Sequence, residues 1–299
     1  MLDSVEAAVL LAEVQSSAEL DPSVVEQPTG HHKFFNSRLS APNVWEVDVR
    51  HSVVQEAADM FNAARLREAH NDIRGARGMA IRSYEGGGAR FAVVQPKGWT
   101  SDVNWFSADD PATMSRFASI FDRLGLASLF TPVVEHTERL RLFSALFVVR
   151  SSCTAANVHD DWALSVGTSA LTVITPLAEF AVDGGKGFQL LYEADTDEGS
   201  GAVEQRQYKY KCGKAIVFGG GFRHSTEPGR AAVEAEPHAF LCFTFGTDDM
   251  DKWPAIANKG LRDQSRLLMR PDGTLEETEL GLHRPDNSLH LIRQAMAAM

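Results

Sequence analysis

The sequence has few cysteines, and none of them stands in a pattern that builds a site. Its 299 residues contain three, Cys153, Cys212 and Cys242, which are far apart and form no Cys-x-x-Cys pair. An odd number of isolated cysteines predicts neither a disulfide framework nor a cysteine-based zinc site. Thiols within apolar segments behave as small hydrophobic residues. We therefore expect a reducing, cytoplasmic compartment.

The chain also lacks a basic excess, a secretory leader and a membrane-spanning run. It has 29 Lys and Arg against 40 Asp and Glu, for a net charge of −11. An acidic chain without a basic stripe is poorly suited to binding nucleic acid. Residues 1–15 have no basic n-region, and no uncharged run is long enough to cross a bilayer. The composition predicts a soluble globular protein with a small-molecule partner, and it leaves the oligomeric state open.

A short polar stretch at 157–162 is the feature that points to chemistry. Side chains two positions apart in extended backbone face the same side, so His159 and Asp161 can bind one ion together. His224 offers a second imidazole. Two imidazoles and one carboxylate on one face of a metal are the ligand set of non-haem Fe(II), with positions open for O₂ and a cosubstrate. A lone His-x-Asp is also common in solvated loops, so the surroundings have to decide.

Short apolar segments surround both motifs and are separated by glycine turns. Such segments are typical of strands in an antiparallel sandwich or barrel. They are 142–150, 170–177, 187–192, 208–218 and 238–245.

Residues 213–229, with His224 after a glycine-rich loop, resemble the distal-histidine segment of the Fe(II)/2-oxoglutarate-dependent dioxygenase superfamily, most of all its phytanoyl-CoA hydroxylase-like branch. The resemblance covers about residues 142–247, with His159, Asp161 and His224 in the family's order. It implies a double-stranded β-helix (jelly-roll) core and an Fe(II) ion bound by those three residues. It also implies an oxidoreductase that uses 2-oxoglutarate and O₂ and releases succinate. Because Asp161 stands where halogenating members have a small residue, hydroxylation, desaturation or ring formation is implied.

The far carboxylate of 2-oxoglutarate needs a cation, ideally an arginine. The family usually places one shortly after the distal histidine, but residues 234–240 contain none. Three candidates remain as alternatives, with Arg230 preferred, then Arg150, then His238. The resemblance further implies that Thr226, two positions after the distal histidine, contributes a hydroxyl to the cosubstrate site.

These observations predict one α+β domain over 1–299, with a jelly-roll core buttressed by N-terminal and C-terminal helices. A helix-rich support with a β-hairpin occupies 1–140, the catalytic core 141–247 and a C-terminal extension 248–299. Hydrophobic periodicity and caps predict helices over 1–20, 52–70, 111–126 and 288–299, and a glycine-rich hairpin tip at 85–88.

Two other functions stay open. The missing arginine would suit a metal-binding cupin-type enzyme that does not use 2-oxoglutarate. A non-catalytic jelly-roll binding protein is the second alternative. The sequence does not specify the substrate.

Overall fold

The computed structural model describes residues 32–33, 40–41, 43–75, 83–95, 101–179, 187–195, 203–231, 236–257 and 259–278. The helices predicted over 1–20 and 288–299 lie outside these residues. The described helices are α1 (His51–Ala63), α2 (Leu66–Gly75), α3 (Pro111–Arg123), α4 (Leu126–Phe130), α5 (Trp253–Ile256) and α6 (Lys259–Gln264). The strands are β1 (His32–Lys33), β2 (Ser40–Ala41), β3 (Val44–Asp48), β4 (Tyr84–Gly86), β5 (Ala89–Val94), β6 (Asn104–Ala108), β7 (Arg141–Arg150), β8 (Ser152–Cys153), β9 (Ala170–Pro176), β10 (Leu190–Asp195), β11 (Val203–Tyr208), β12 (Lys214–Phe218), β13 (His224–Thr226), β14 (Gly229–Arg230), β15 (His238–Gly246), β16 (Leu267–Met269) and β17 (Leu275–Glu277).

An eight-stranded antiparallel sheet, in the order β3-β12-β9-β15-β7-β6-β5-β4, forms the centre of the fold. A three-stranded sheet, β11-β10-β13, packs on one of its faces. Side chains of both sheets share one buried cluster, to which Tyr192 and Tyr208 contribute from the small sheet and Phe218 and Phe240 from the large one. The architecture is α+β, as predicted, and its layered sheets are consistent with a jelly-roll core.

Strand periodicity divides the large sheet into two faces, because successive side chains point to opposite sides. Phe147 and Phe243 join the cluster formed with the helices, which we call the helix-covered face. Val148 and Cys242, their neighbours along the chain, join the cluster shared with the small sheet, which we call the sheet-covered face.

The amphipathic segment predicted as one helix over 52–70 is two helices, α1 and α2. The chain breaks at Ala64 and Arg65, and Arg65 has a φ of 56°. Tyr84 donates its hydroxyl to the Ala64 carbonyl at 2.6 Å, and a Cβ on Gly86 would lie 2.4 Å from the same oxygen. The packed hairpin therefore occupies the carbonyl that a continuous helix would have used internally.

The helix predicted from 111 is confirmed as α3 followed by α4. Asp110 caps it by accepting from the Thr113 N–H at 2.7 Å, and Pro111 is its first residue. Gly125, with a φ of 92°, separates α3 from α4. The predicted hairpin is also confirmed, since β4 and β5 pair around a two-residue turn at Gly87 and Gly88.

The part of the chain before 141 does more than support the core, because it supplies β3 and β4–β6 to the same eight-stranded sheet. The strand β6 lies directly beside β7 and was not marked by the sequence pattern. Across the ranges that the structure describes, no helix is long and apolar enough to cross a membrane.

Candidate metal centre

His159 and His224 are joined directly through their backbones. The N–H of each donates to the carbonyl of the other, at 2.9 and 3.0 Å, which forms an isolated antiparallel bridge. His224 begins β13, where it pairs with Tyr192 of β10. The preceding glycines allow this approach, since a Cβ on Gly220 would lie 2.6 Å from the Ala163 carbonyl oxygen. The fold therefore brings the two predicted motifs together.

Both imidazoles present the same nitrogen to the interior of the site. The Nδ1 of His159 lies 2.8 Å from the Asn157 carbonyl oxygen, and the Nδ1 of His224 lies 3.1 Å from that of Phe222. An Nδ1–H that donates to a carbonyl leaves the Nε2 lone pair free for a ligand. The two Nε2 atoms lie 3.6 and 3.8 Å from Oδ1 of Asp161.

The three candidate ligand atoms lie within 4.8 Å of one another. His224 is the most enclosed of the three, with 7% of its side chain exposed, whereas His159 is 30% exposed. Asp160 points outward and is exposed, as strand alternation predicts. The cluster is thus closed behind His224 and open beside His159.

A hydrogen-bonded relay orients the carboxylate. Trp162 Nε1 donates to Thr172 Oγ1 at 3.0 Å, and that hydroxyl donates to Oδ2 of Asp161 at 3.0 Å. Trp162 is 2% exposed, so the relay is anchored in the core. Occupation of Oδ2 leaves Oδ1 facing the histidines. No sequence motif marks Thr172, which reaches the site only because β9 runs beneath it.

Burial governs the protonation of the inner histidine. The pKa of His224 is lowered from its ordinary value because burial penalises the imidazolium more than the nearby Asp161 carboxylate favours it. A neutral imidazole is the form that binds a metal. His224 is therefore held in the ligand form at neutral pH.

Arg150 ends β7 on the sheet-covered face. Its guanidinium donates to the hydroxyl of Thr226 and lies 5.7 Å from the ring centre of Phe240. Within the described ranges, its Nε has no hydrogen-bond partner and no carboxylate lies within ion-pairing distance. Burial raises the pKa of Tyr210 and Cys242, and for both groups the nearby Arg150 lowers the pKa while Asp161 raises it. The cation and the candidate metal ligands therefore surround one interior.

The other anchor candidates occupy different surroundings. Arg230 is exposed on the short strand β14, opposite Ser152. His238 lies across from Arg150 on β15, and burial together with that guanidinium lowers its pKa to about 4. His238 is consequently neutral near pH 7. Arg150 thus lies between the sheets with Thr226 as its hydroxyl partner, whereas Arg230 lies at the surface.

No family model matches the chain, and no curated protein does. Solved structures with some likeness include a Pseudomonas putida prolyl-4-hydroxylase, at 14% identity over 69% of this chain and 92% of that one, with a TM-score of 0.43. Another is the non-haem α-ketoglutarate-dependent epimerase SnoN from nogalamycin biosynthesis, at 15% identity, 69% and 79% coverage and a TM-score of 0.43. A third is HygX from Streptomyces hygroscopicus with nickel and 2-oxoglutarate bound, at 12% identity, 69% and 83% coverage and a TM-score of 0.43. Likeness this distant carries no argument about chemistry, which has to come from the chain's own residues.

Proposed function

We propose that the protein is a non-haem Fe(II)- and 2-oxoglutarate-dependent oxygenase with a double-stranded β-helix core, acting on a small molecule. The observation that carries the proposal is the convergence of two Nε2 atoms and one carboxylate oxygen, from His159, His224 and Asp161, within 4.8 Å. The facing sheets support the core assignment, because His224 lies on β13, the edge strand of the small sheet, with its ring 4.7 Å from that of Phe218 on the large sheet.

The donor set fits Fe(II). Two neutral imidazoles and one carboxylate form a facial set, and three protein ligands leave coordination positions open, unlike a closed four-ligand structural zinc site. Within the described ranges these are the only three residues grouped this way. Iron bound here would supply the activation of O₂ that couples decarboxylation of 2-oxoglutarate to oxidation of a C–H bond in the substrate.

The protein's own residues prepare that chemistry. The carbonyls of Asn157 and Phe222 fix the tautomer and ring direction of the two histidines. The relay through Thr172 holds Asp161 with one oxygen toward the site. Such supporting partners keep ligand atoms in place before a metal arrives.

Arg150 supplies the cation for the cosubstrate. A buried guanidinium is unfavourable without a matched anion, and burial already lowers the pKa of Arg150. A dicarboxylate that chelates the metal through its 2-oxo acid end could place its far carboxylate at Arg150 and receive charge-assisted hydrogen bonds there. Thr226, two residues from the ligand His224, completes this end of the pocket.

The test is an anaerobic titration of the purified protein with Fe(II) and then 2-oxoglutarate. A visible charge-transfer band, as an Fe(II)–2-oxo acid chelate gives, should develop in the wild type and be lost in His224→Ala. His51→Ala is a suitable control because His51 is exposed on α1, away from the site. Oxygenation should then produce succinate.

The same titration separates the alternatives. Iron binding without the band, and without succinate, would favour a cupin-type enzyme that does not use 2-oxoglutarate. Absence of iron binding would overturn the metal centre and leave a non-catalytic binding protein.

A further inference from the structure

A buried polar cluster lies on the opposite side of the chain from Arg150. Asp102 accepts from the N–H groups of Ser151 and Ser152, at 2.8 and 2.9 Å, through one oxygen. Its other oxygen accepts from the Ser151 hydroxyl at 3.0 Å. In return, the Asp102 N–H donates to the Ser152 carbonyl at 3.1 Å. One carboxylate therefore clamps the whole junction between β7 and β8.

A second layer backs this clamp. Nε2 of His70, on α2, lies 2.9 Å from the Ser151 hydroxyl oxygen, and Asn104 donates to Nδ1 of His70 at 2.7 Å. His70 and Asn104 have no exposed surface, and Ser151 is 1% exposed. Since Asn104 donates to Nδ1, the proton of a neutral His70 resides on Nε2 and is donated to Ser151.

This arrangement is not a hydrolytic triad. The Ser151 hydroxyl donates its hydrogen bond to Asp102, and His70 donates a hydrogen bond to the Ser151 oxygen instead of acting as its base. A nucleophile would also have to meet a substrate, and Ser151 is enclosed on all sides. The cluster therefore has a structural role: it holds the junction between β7 and β8 and the side chains next to it.

What the junction carries is Arg150. It immediately precedes Ser151, and strand alternation sends the two side chains to opposite faces. Ser151 points to the clamp beneath α2, and Arg150 points between the sheets to Thr226. The guanidinium has no carboxylate in the described ranges to orient it. Apart from its hydrogen bond to Thr226, its direction depends on the backbone that the clamp fixes.

We propose that Asp102, backed by His70 and Asn104, is a positioning residue for the cosubstrate, because it sets the direction in which Arg150 meets the far carboxylate. The inference rests on the proposed function. Without the clamp, the end of β7 loses three hydrogen bonds, and the backbone that carries the Arg150 side chain is no longer held in place. The proposed metal ligands on β13 and at 159–161 keep their own supporting hydrogen bonds.

The experiment measures two affinities in Asp102→Ala, those for Fe(II) and, at saturating Fe(II) without oxygen, for 2-oxoglutarate from the charge-transfer band. We expect the dissociation constant for 2-oxoglutarate to rise at least about tenfold, as loss of a supporting partner behind a binding group does, while Fe(II) affinity stays unchanged. Asp248→Ala is the matched control. Asp248 likewise accepts three hydrogen bonds, two from the N–H groups of Glu138 and Arg139 and one from the Thr137 hydroxyl, all at 3.1 Å, in a different part of the fold.

Asp102→Asn keeps the side-chain shape and covers the case in which the alanine variant fails to fold. It should show the same selective loss in smaller degree. If both Asp102 variants bind 2-oxoglutarate as Asp248→Ala does, or if they lose Fe(II) and 2-oxoglutarate affinity together, the positioning role is overturned. A wild type that binds iron and gives no band would instead refute the proposed function, and this inference with it.

Discussion

The helix-covered and sheet-covered faces of the large sheet are built by the same strands, and both contribute to buried clusters. On the helix-covered face, Phe147 and Phe243 stand within a network of aromatic rings from the helices, with Phe117 5.2 Å from Phe147 and 6.1 Å from Phe243. On the sheet-covered face, β7 ends in Arg150 and β15 carries Cys242. One face is a hydrocarbon core, and the other encloses groups that can carry charge.

This difference shows that burial serves two purposes in one sheet. Burial raises the pKa of Tyr192 to about 12, and it also raises the pKa of Tyr208, Tyr210 and Cys242, all on the sheet-covered side. The shifts show that this interior disfavours charged side chains. In such an interior, electrostatic interactions with a bound metal and a carboxylate would be strong. Substitutions on the two faces should therefore affect different measurements.

Phe147→Ala should have the largest effect on stability. Its ring is fully buried among Phe61, Phe91 and Phe117, and truncation of such a residue costs about 3–5 kcal/mol. Urea unfolding measures the loss. Fe(II) affinity per folded molecule should stay at the wild-type level, and a parallel fall in both would remove the distinction between the faces.

Arg150→Ala should act on binding instead. Loss of a charge-assisted contact to the cosubstrate is expected to cost about 3 kcal/mol, roughly a hundredfold in the dissociation constant for 2-oxoglutarate. The anaerobic band titration measures it. Arg230→Ala is the control, and a larger effect there than at Arg150 would return the anchor to the candidate that the sequence preferred.

Thr172→Val should loosen the metal centre. The substitution keeps the shape but removes the hydroxyl that donates to Asp161, and loss of such a partner costs about 10- to 100-fold in metal affinity. Competition with a chromogenic chelator measures the change. Thr175→Val is matched to it, since Thr175 lies on the same strand with its hydroxyl bonded to the Lys214 carbonyl. Equal losses in the two variants would mean that the relay does not tune the metal.

His238→Gln should give the smallest effect, on the pH dependence of stability. His238 has a pKa of about 4 in the folded protein and an ordinary value of 6.5, so the unfolded chain binds the proton more readily. This contribution lowers the free energy of unfolding as the pH falls from about 6.5 to about 4, and it is constant below that range. With its partial exposure discounted, about 1 kcal/mol is expected. Urea titrations at several pH values in that range should show that the free energy of unfolding depends less steeply on pH in the variant.

The meeting of His159, Asp161 and His224 could be predicted because its signal in the sequence is local. The spacing of His159 and Asp161 follows from strand geometry, and the apolar segments on either side predicted the strands that position them. The hairpin at Gly87 and the helix start at Pro111 were predictable for the same reason, since turns and helix starts depend on a few neighbouring residues.

The surroundings of Arg150 and Asp102 depend on contacts that sequence spacing does not encode. Arg230 is nearer to His224 along the chain, yet Arg150 shares an interior with it because β7 ends beside Thr226. Asp102 and His70 meet Ser151 only through the order of β6 and β7 and the docking of α2. Similarly, the break after α1 comes from Tyr84, a partner 20 residues away from Ala64.

The backbone bridge between His159 and His224 has a consequence for how a metal would be acquired. Zinc fingers fold when the ion binds, so the entropy cost of ordering the chain lowers the observed metal affinity. Here two of the ligands are held by reciprocal backbone bonds, and the third is held by Thr172. Binding would then order little chain and bury little apolar surface, so its heat-capacity change should be close to zero. Such a site can exchange its metal while the fold stays intact.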